Sequence, residues 1–284
     1  LVFRRLAIHD IGSGGNNDCL KLSGIYDLWL LDSTFARCGG GSGSGVDCVG
    51  CHEGLMARNH FEQLLGNAVQ AKGGSADLEL RWNILVSAGQ RGFNLGGSTG
   101  FAFFRPPLAT TAPNAEARNL RAIGNLIVGG DTPFAFVGCV DCVAAHNTVV
   151  NPATWLMRIL QETTSGGGFT FEPAANGQVV NNLFYFEDGD ISTHVNIGPN
   201  TAPATFDFAH DLWFAWDAPG ASTPTLPSAE VGGIYGEDPQ LTAEWGIPGT
   251  SPAAGAGAAQ AWLSGDRLGS CYGSPPGIGA HEAP

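Results

Sequence analysis

Lysine is rare in this sequence, and one of its two lysines has neighbours that could take part in acid–base chemistry. Lys72 lies in the phrase Gln70-Ala-Lys-Gly-Gly-Ser, and Arg91 follows in Gln-Arg-Gly-Phe-Asn94. If burial and the charge of Arg91 keep Lys72 unprotonated, Lys72 could remove a proton from carbon. Arg91 could hold a carboxylate and stabilise the enolate-like charge that develops on it. These two residues are the first candidates for a catalytic pair.

Further polar residues could serve the same reaction. Removal of a proton next to a carboxylate needs a group that neutralises the carboxylate, a base for the proton and an acid for the departing oxygen. His52 is the candidate for a share in the proton transfer. Candidates for binding the substrate are Gln70, Asn94, Arg158, Asn196 and His194. Side chains that could hold a calcium ion, the one cofactor that these residues suggest, are Asp47, Asn67 and Asp18.

The composition narrows the class of protein. The chain has 284 residues with 42 Gly, 43% hydrophobic and 14% charged residues, which excludes a coiled coil and a disordered chain. The net charge of −13 argues against a nucleic-acid partner, and no apolar run reaches the roughly 18 residues of a membrane span. All of this charge lies beyond Gln161, where 14 acidic residues accompany one basic residue, Arg267. The part with Lys72 is neutral, so an acidic glycan partner is compatible with it.

An Asn or Asp followed by a short apolar strand recurs along the chain. It occurs at Asp10, Asp32, Asn59, Asn83, Asn125, Asn147, Asn182 and Asp211. The base period lies in the low to middle twenties, and three intervals carry insertions. A β-rich repeat of this length with Gly turns predicts a parallel β-solenoid, whose coils stack at about 4.8 Å. Asn at an equivalent turn can hydrogen-bond along the axis and tolerates left-handed backbone angles, so we interpret these residues as structural.

A second apolar segment in each coil aligns the outward-facing residues into columns along the solenoid. The first predicted column is Lys21, Gly50, Gln70, Asn94, Ala135, Arg158 and Asn196. The second holds Ser23, His52, Lys72 and Gly96, and the third holds Asp18, Asp47, Asn67 and Arg91. His52 is therefore expected beside Lys72, with the candidate calcium ligands close by.

The seven cysteines include two C-x-x-C pairs, Cys48–Cys51 and Cys139–Cys142. The predicted coils of the two pairs are at least three apart, roughly 14 Å. A zinc ion needs its thiolates at about 2.3 Å, so the two pairs cannot share one ion, and packing or disulfides are the alternative. Cys19 and Cys48 fall on equivalent positions of adjacent predicted coils and could form a disulfide.

The repeat, which covers about Leu6 to Phe214, resembles the right-handed parallel β-helix superfamily, the pectin-lyase-like fold. The end of the chain is similar to the closing segment of many secreted bacterial members. The phrases that carry this similarity are Asp238-Pro-Gln-Leu241, Ser251-Pro-Ala-Ala-Gly-Ala-Gly257 and Ile278-Gly-Ala-His-Glu282. The resemblance concerns the fold class and says nothing about activity.

Within that superfamily, one stretch is similar to the alginate lyase and chondroitinase B family of polysaccharide lyases. That family places a Lys base at a strand end, then an Asn turn and a strand, and an Arg about one coil later. Lys72, Asn83 and Arg91 follow this pattern here. The family usually has acidic calcium ligands just before the Lys, where this chain has Asn67 and Gln70. The resemblance implies β-elimination with Lys72 as base, whereas the departure at Asn67 and Gln70 weighs against a calcium ion.

The sequence thus predicts an all-β, right-handed parallel β-helix of about 8 coils. The coils are expected over 1–217, with a Pro-rich insertion over about 100–119 that could wall a groove or bind a partner. An irregular segment over 218–284 is expected to pack on the solenoid as a cap.

The predicted function is that of a bacterial polysaccharide lyase, secreted or periplasmic, that acts on a uronate-containing glycan, with no nucleic-acid or membrane partner. Two rivals stay open. One is a glycoside hydrolase on the same fold that uses Asp18 and Asp47 as its carboxylate pair. The other is a non-catalytic carbohydrate-binding or surface scaffold protein. Ultraviolet-absorbing unsaturated ends, new reducing ends, or retention without cleavage would separate the three.

Overall fold

The computed structural model describes residues 1–12 and 15–284 and shows a right-handed parallel β-solenoid of about nine turns. The predicted fold class is confirmed, and the number of turns is close to the predicted eight. Each complete coil contributes strands to three parallel sheets, which we call A, B and C. Neighbouring strands of one sheet therefore come from successive coils, so residues far apart in sequence form columns along the axis.

The strands of the three sheets run in chain order along the solenoid. Sheet A contains β1 (Val2–Arg4), β4 (Tyr26–Leu31), β7 (His52–Ala57), β10 (Ser75–Arg81), β13 (Ala117–Arg118), β14 (Arg121–Ile123), β17 (Cys139–Val140), β18 (Val143–Ala145), β23 (Gln178–Val180), β26 (Asp207–Ala209) and β28 (Glu230–Val231). Sheet B contains β2 (Ala7–His9), β5 (Thr34–Ala36), β8 (His60–Glu62), β11 (Ile84–Val86), β15 (Leu126–Val128), β19 (Thr148–Val150), β24 (Leu183–Phe186), β27 (Leu212–Ala215) and β29 (Ile234–Tyr235). Sheet C contains β3 (Leu20–Ser23), β6 (Ser44–Val49), β9 (Asn67–Lys72), β12 (Arg91–Gly96), β16 (Phe134–Val137), β20 (Trp155–Leu160) and β25 (Thr193–Ile197).

Little regular structure lies outside these sheets in the described part of the chain. It comprises the antiparallel pair β21 (Ser165–Gly166) and β22 (Phe169–Thr170) and the short 3-10 turns Phe101–Phe103, Asp188–Asp190, Pro203–Thr205 and Pro219–Ala221. The first of these turns lies in the predicted insertion. Strands β28 and β29 extend sheets A and B by one coil into the segment that the sequence assigns to the cap.

A ladder of buried side chains runs along the corner between sheets A and B. It consists of Ser33, Asn59, Asn83, Asn125, Asn147, Asn182 and Asp211. Within it, Asn125 Oδ1 accepts from the backbone and side-chain nitrogens of Asn83, and Asn125 Nδ2 donates to Asn147 Oδ1 and to the Leu80 carbonyl. Each ladder side chain thus satisfies groups of neighbouring coils, so its role is structural, as the sequence predicts.

The structure corrects two members of the predicted series. Ser33, not Asp32, occupies the ladder position, because the left-handed residue of the turn precedes the ladder residue: φ is 52° at Asp32 and 56° at Arg58, just before Asn59. Asp10 lies at a different corner, after β2, where it pairs with Arg37 at 2.5 Å. Aspartate tolerates left-handed angles as asparagine does, so the sequence pattern did not separate the turn position from the ladder position.

Aromatic side chains stack inside the solenoid, one coil above another. The ring centroids of Phe184 and Trp213 are 4.1 Å apart, and those of Phe35 and Phe61 are 5.1 Å apart. All four side chains are fully buried. Burial of each stabilises the fold by about 2–3 kcal/mol, so the core resides in the lumen of the coils.

Two disulfides are present, Cys19–Cys38 and Cys139–Cys142. The predicted Cys19–Cys48 pairing is wrong. In the register of sheet C, Leu22 rather than Cys19 lies opposite Cys48, and Cys48 is a free buried thiol. The C-terminal segment packs on sheet B, where Ile247, Ala253 and Ile278 cluster with Leu183, Leu212 and Phe214. Its residues Ala258 and Trp262 pack on sheet A. Among the described residues, no helix has the length and apolar character that crossing a membrane requires.

Candidate functional site

The outer face of sheet C carries a row of polar side chains across successive coils. The strand register aligns Lys21, Asp47, Gln70, Asn94, Ala135, Arg158 and Asn196 in one column. Six of these seven positions are those that the sequence predicts. Asp47 replaces Gly50 in the column, and Val49 replaces His52 as the neighbour of Lys72. We call this set, together with Asp18, Asn67, Lys72, Arg91 and Glu162, the polar row.

The error in the predicted positions of Asp47 and His52 has a simple physical cause. Strand β6 continues to Val49, and the chain then turns at Gly50, whose φ of 63° is left-handed. His52 therefore begins β7 of sheet A rather than ending a strand of sheet C. It stacks on Tyr26 with a centroid distance of 4.7 Å, and its Nε2 lies 2.8 Å from the Arg105 carbonyl. The predicted pairing of His52 with Lys72 is corrected, and His52 lines a different cavity.

Lys21 joins two buried carboxylates at the N-terminal end of the row. Its Nζ lies 2.5 Å from Asp47 Oδ2 and 3.2 Å from Asp18 Oδ2. Burial lowers the pKa of Lys21, but the hydrogen bonds to Asp47 and Asp18 outweigh burial and raise that pKa above its usual value. Burial, followed by the charge of Asp47, raises the pKa of Asp18, against the opposing effects of the Ser44 amide and Lys21. Lys21 is thus the counter-ion of this pair.

A chain of hydrogen bonds links Asp47 to Arg91 across three coils. Gln70 Nε2 donates to Asp47 Oδ1 at 3.3 Å, and Asn94 Nδ2 donates to Gln70 Oε1 at 2.9 Å. Arg91 Nη1 donates to Asn94 Oδ1 at 2.9 Å, and Arg91 Nη2 pairs with Glu162 at 2.9 Å. Gln70 and Asn94 are buried, so they position the charged groups at both ends.

Lys72 lies on the same outer face as Arg91, as the sequence requires. Its Nζ is 3.8 Å from Asp47 Oδ2, beyond hydrogen-bond distance, and no acceptor among the described residues bonds to it. The side chain is 16% exposed. A Cβ at Gly97 would lie 3.1 Å from Lys72 Cδ, so the glycine leaves room for the lysine stem. Lys72 therefore makes a long ion pair with Asp47 and has no hydrogen bond to the described residues that would have to break for a ligand to bind.

Lys72 lines a cavity of about 460 Å³ that also includes Lys21, Ser23, Ser98, Thr99 and Phe103. The two lysines are the titratable side chains that line it. Phe103, in the insertion, is 63% exposed. An exposed aromatic ring beside hydroxyl and amino groups is a common composition for a ligand site.

Glu116 fixes the insertion against the Lys72 strand. This fully buried carboxylate accepts hydrogen bonds from the Gly73 amide at 3.0 Å, from the Thr99 amide and hydroxyl at 2.9 and 2.8 Å, and from the Thr163 hydroxyl at 2.7 Å. The amide of Gly73 follows Lys72 directly, so one side chain ties the end of β9 to the cavity wall. The sequence does not point to Glu116, because no residue nearby in the sequence pairs with it.

The remaining predicted residues lie toward the C-terminal end of sheet C. Arg158 lies over the ring of Trp155 at 4.2 Å and donates to Asn196 Oδ1 at 3.0 Å. Burial and repulsion from Arg91 lower the pKa of Arg158. His194 is not brought to the outer face, since it packs edge-on against the core ring of Phe186. Burial lowers the pKa of His194.

The proposed calcium ligands do not fit a calcium ion. The ammonium of Lys21 lies between Asp18 and Asp47, and Asn67 Nδ2 donates to Gln70 Oε1 at 2.9 Å. Calcium needs six to eight oxygen ligands, and no group of three or more acidic, His or Cys side chains in 1–12 and 15–284 could hold a metal. The Cys139–Cys142 disulfide likewise removes two thiols from any zinc site.

Lys21, Glu116, Glu162 and Phe103 are the residues that the sequence-based site lacked. The sequence does contain a signal for Lys21, since this residue stands in the predicted column and lysine is rare in the chain. Phe103 and Glu162 lie in or beside insertions, whose position relative to sheet C no repeat pattern predicts. No protein-family model matches the chain, and no curated protein matches it at a significant level. The fold and the site's own geometry therefore carry the functional argument.

Proposed function

We propose that the outer face of sheet C binds a uronate-containing polysaccharide and that Lys72 is the base of a β-elimination. The observation that carries the proposal is that the two lysines differ in their hydrogen bonding to Asp47. Lys21 neutralises Asp47 at 2.5 Å, while Lys72 lies 3.8 Å away on the cavity wall without a hydrogen-bond partner among the described residues. A lysine in this position can meet a ligand directly.

In the proposed reaction, the Lys72 amine takes the C5 proton of the uronate. The electrons of the C–H bond form the C4=C5 double bond, and the bond between C4 and O4 breaks. The departing O4 takes a proton, for which protonated Lys72 is the acid at hand because His52 belongs to another cavity. Lys21, which lines the same cavity, is the cation that could hold the sugar carboxylate and stabilise the charge it gains, sharing its own charge with Asp18 and Asp47. Arg91, which pairs with Glu162 outside the cavity lining, could hold a neighbouring sugar acid.

The alternative, a glycoside hydrolase that uses Asp18 and Asp47, is less compatible with the burial of these two carboxylates. The side chains of Asp18 and Asp47 are 3% and 1% exposed, and both carboxylates bind the ammonium of Lys21. A general acid and base must reach the glycosidic oxygen and a water molecule, which these buried groups cannot do without rearrangement.

The two disulfides support a further part of the proposal, that the protein acts in an oxidising compartment, secreted or periplasmic.

The test is incubation of the protein with a panel of polymers: alginate, pectate, chondroitin, hyaluronan and a neutral glucan as the control. We expect unsaturated, ultraviolet-absorbing ends from at least one uronate polymer and none from the glucan. Reducing ends without this absorbance would replace the proposal with hydrolysis. Retention of a uronate polymer on immobilised protein without any cleavage would instead identify a binding module.

A further inference from the structure

The chain contains two C-x-x-C turns that share a left-handed residue at the third position. Cys48-Val-Gly-Cys51 and Cys139-Val-Asp-Cys142 each have valine second and a left-handed residue third, with φ of 63° at Gly50 and 59° at Asp141. The second turn is closed by a disulfide. The first turn places its cysteines in the same kind of backbone frame, which is compatible with a bridge between them.

The side chains of Cys48 and Cys51 belong to the same core cluster, and both are fully buried. The interaction between the two thiols lowers the pKa of Cys51 and raises that of Cys48. All seven cysteines lie in the described ranges, and the remaining unpaired one, Cys271, is exposed.

We propose that Cys48 and Cys51 form a third disulfide when the chain folds in an oxidising environment. The two thiols lose two protons and two electrons, and the S–S bond forms. A small disulfide such as oxidised glutathione accepts the electrons and is reduced to two thiols. Reaction occurs during folding, because both sulfurs are inaccessible once the core has closed.

The bridge would reinforce one wall of the candidate site. Gly50, between the two cysteines, donates its amide to the Lys72 carbonyl at 2.8 Å. Val49 lines the same cavity as Lys72. A bond between Cys48 and Cys51 closes the turn that carries both contacts, so it would hold the end of β9 in place. This inference does not depend on the proposed activity, since it concerns covalent structure alone.

The experiment uses the full chain with Cys271→Ser, which removes the exposed thiol. The protein is refolded with oxidised glutathione, denatured without reductant and treated with an alkylating reagent, and its free thiols are counted by mass spectrometry. We expect no alkylated cysteine. A peptide map should show Cys48 linked to Cys51, beside the Cys19–Cys38 and Cys139–Cys142 bridges.

The control is the same chain with Cys51→Ala added, in which Cys48 should be alkylated as a single thiol. Two alkylated thiols at Cys48 and Cys51 in the refolded parent would overturn the proposal. So would a bridge from either cysteine to another partner, or alkylation at both that appears only after a metal chelator is added. The parent chain alone decides between these outcomes, so a control variant that folds poorly does not affect the conclusion.

Discussion

Two columns of polar side chains run along this solenoid, and they differ in what satisfies them. The ladder from Ser33 to Asp211 lies inside the corner between sheets A and B, and its amides bond to the backbone and side chains of adjacent coils. The polar row on sheet C lies on an outer face, and its members bond mainly to one another's side chains.

The difference separates a structural column from a candidate functional one. A ladder residue that is lost leaves buried backbone groups without partners, which is costly. The row has members with buried side chains as well, Asp18, Asp47, Gln70 and Asn94, but at its edge Lys21 and Glu162 are partly exposed, so solvent can replace the contacts that are lost there. The row also mixes charges, with four cations and three carboxylates, of which Lys72 and Arg158 lack a hydrogen-bonded carboxylate among the described residues. Stacking alone therefore does not indicate function, and cations without a hydrogen-bonded carboxylate are the better candidates for contact with a ligand.

The largest expected effect is the loss of activity on substitution of a residue of the polar row, with little change in stability. Lys72→Ala should reduce the rate of β-elimination by about 10³-fold or more, because it removes the proposed base. It should change the free energy of unfolding by less than about 0.5 kcal/mol, since Lys72 makes no hydrogen bond. Lys72→Arg is the matched control, because it keeps the charge and should retain glycan binding without turnover. Full activity in Lys72→Ala would remove Lys72 from the mechanism.

The next effect should come from the middle of the ladder. Asn125→Ala should lower the free energy of unfolding by about 3 kcal/mol, because the buried Asn83 amide and Leu80 carbonyl lose their partner. Asn196→Ala, on the outer face, removes one hydrogen bond from Arg158 and should cost less than about 1 kcal/mol. Urea unfolding curves measure both. Equal losses in the two variants would contradict the distinction between the columns.

At the end of the ladder, a substitution should raise the free energy of unfolding instead of lowering it. Asp211 occupies an asparagine position, and its buried Oδ2 has no hydrogen-bond partner. Burial, and then the charge of neighbouring Glu230, raise the pKa of Asp211 well above its usual value. Asp211→Asn should therefore stabilise the protein at pH 7 by about 1–3 kcal/mol. Its amide can donate to the Val179 carbonyl, which is equivalent to the Ala144 carbonyl that Asn182 binds.

The sign of the pH dependence follows from the raised pKa of Asp211. Its contribution to stability is complete below pH 3.8, the ordinary value, and is lost as the pH rises toward the folded value. The advantage of Asp211→Asn over the parent should accordingly grow with pH from about 4 upward. Chemical unfolding at several pH values measures it, and an advantage that shrinks with rising pH would show that Asp211 is ionised in the fold.

A pH dependence of opposite sign should come from His146, which precedes the ladder residue Asn147. His146 Nε2 accepts from Asn181 Nδ2 at 2.8 Å, and the ring packs on Tyr272 of the C-terminal segment. Burial lowers the pKa of His146 from 6.5 to about 3. Below pH 6.5 the histidine binds a proton in the unfolded chain but stays neutral in the folded chain. Stability is therefore lost as the pH falls from 6.5 toward about 3.

The expected slope from this histidine is about 1.4 kcal/mol per pH unit. His146→Asn removes the titration and keeps a residue that tolerates the left-handed φ of 51°. The smaller side chain costs the same at every pH, so the difference between parent and variant should narrow as the pH falls. A difference that is constant from pH 7 to pH 4 would mean that His146 is protonated in the fold. Asp211 has the opposite dependence, so the single variants separate two contributions that oppose each other in the parent chain.

The sequence predicted the fold and much of the polar row because both depend on regular repetition. Gln70, Asn94, Arg158 and Asn196 were aligned correctly from the alternation of apolar residues, since each strand has the same register as the next. The alignment failed at the β6 coil, where Gly50 is a turn residue and Val49 faces outward. One misread turn moved His52 onto the wrong sheet and displaced Asp47 from its column.

The amino-acid sequence by itself determined the parallel solenoid, its ladder and the isolation of its two lysines in a neutral half of the chain. Periodic patterns of apolar and amide residues carry that information locally, and stacking repeats it. Only the tertiary structure decided that Lys21 neutralises Asp47, that Glu116 ties the insertion to the end of β9, and that Phe103 reaches the cavity. Those contacts join segments of unrelated sequence through insertions, and hydrogen bonds between such segments follow no period.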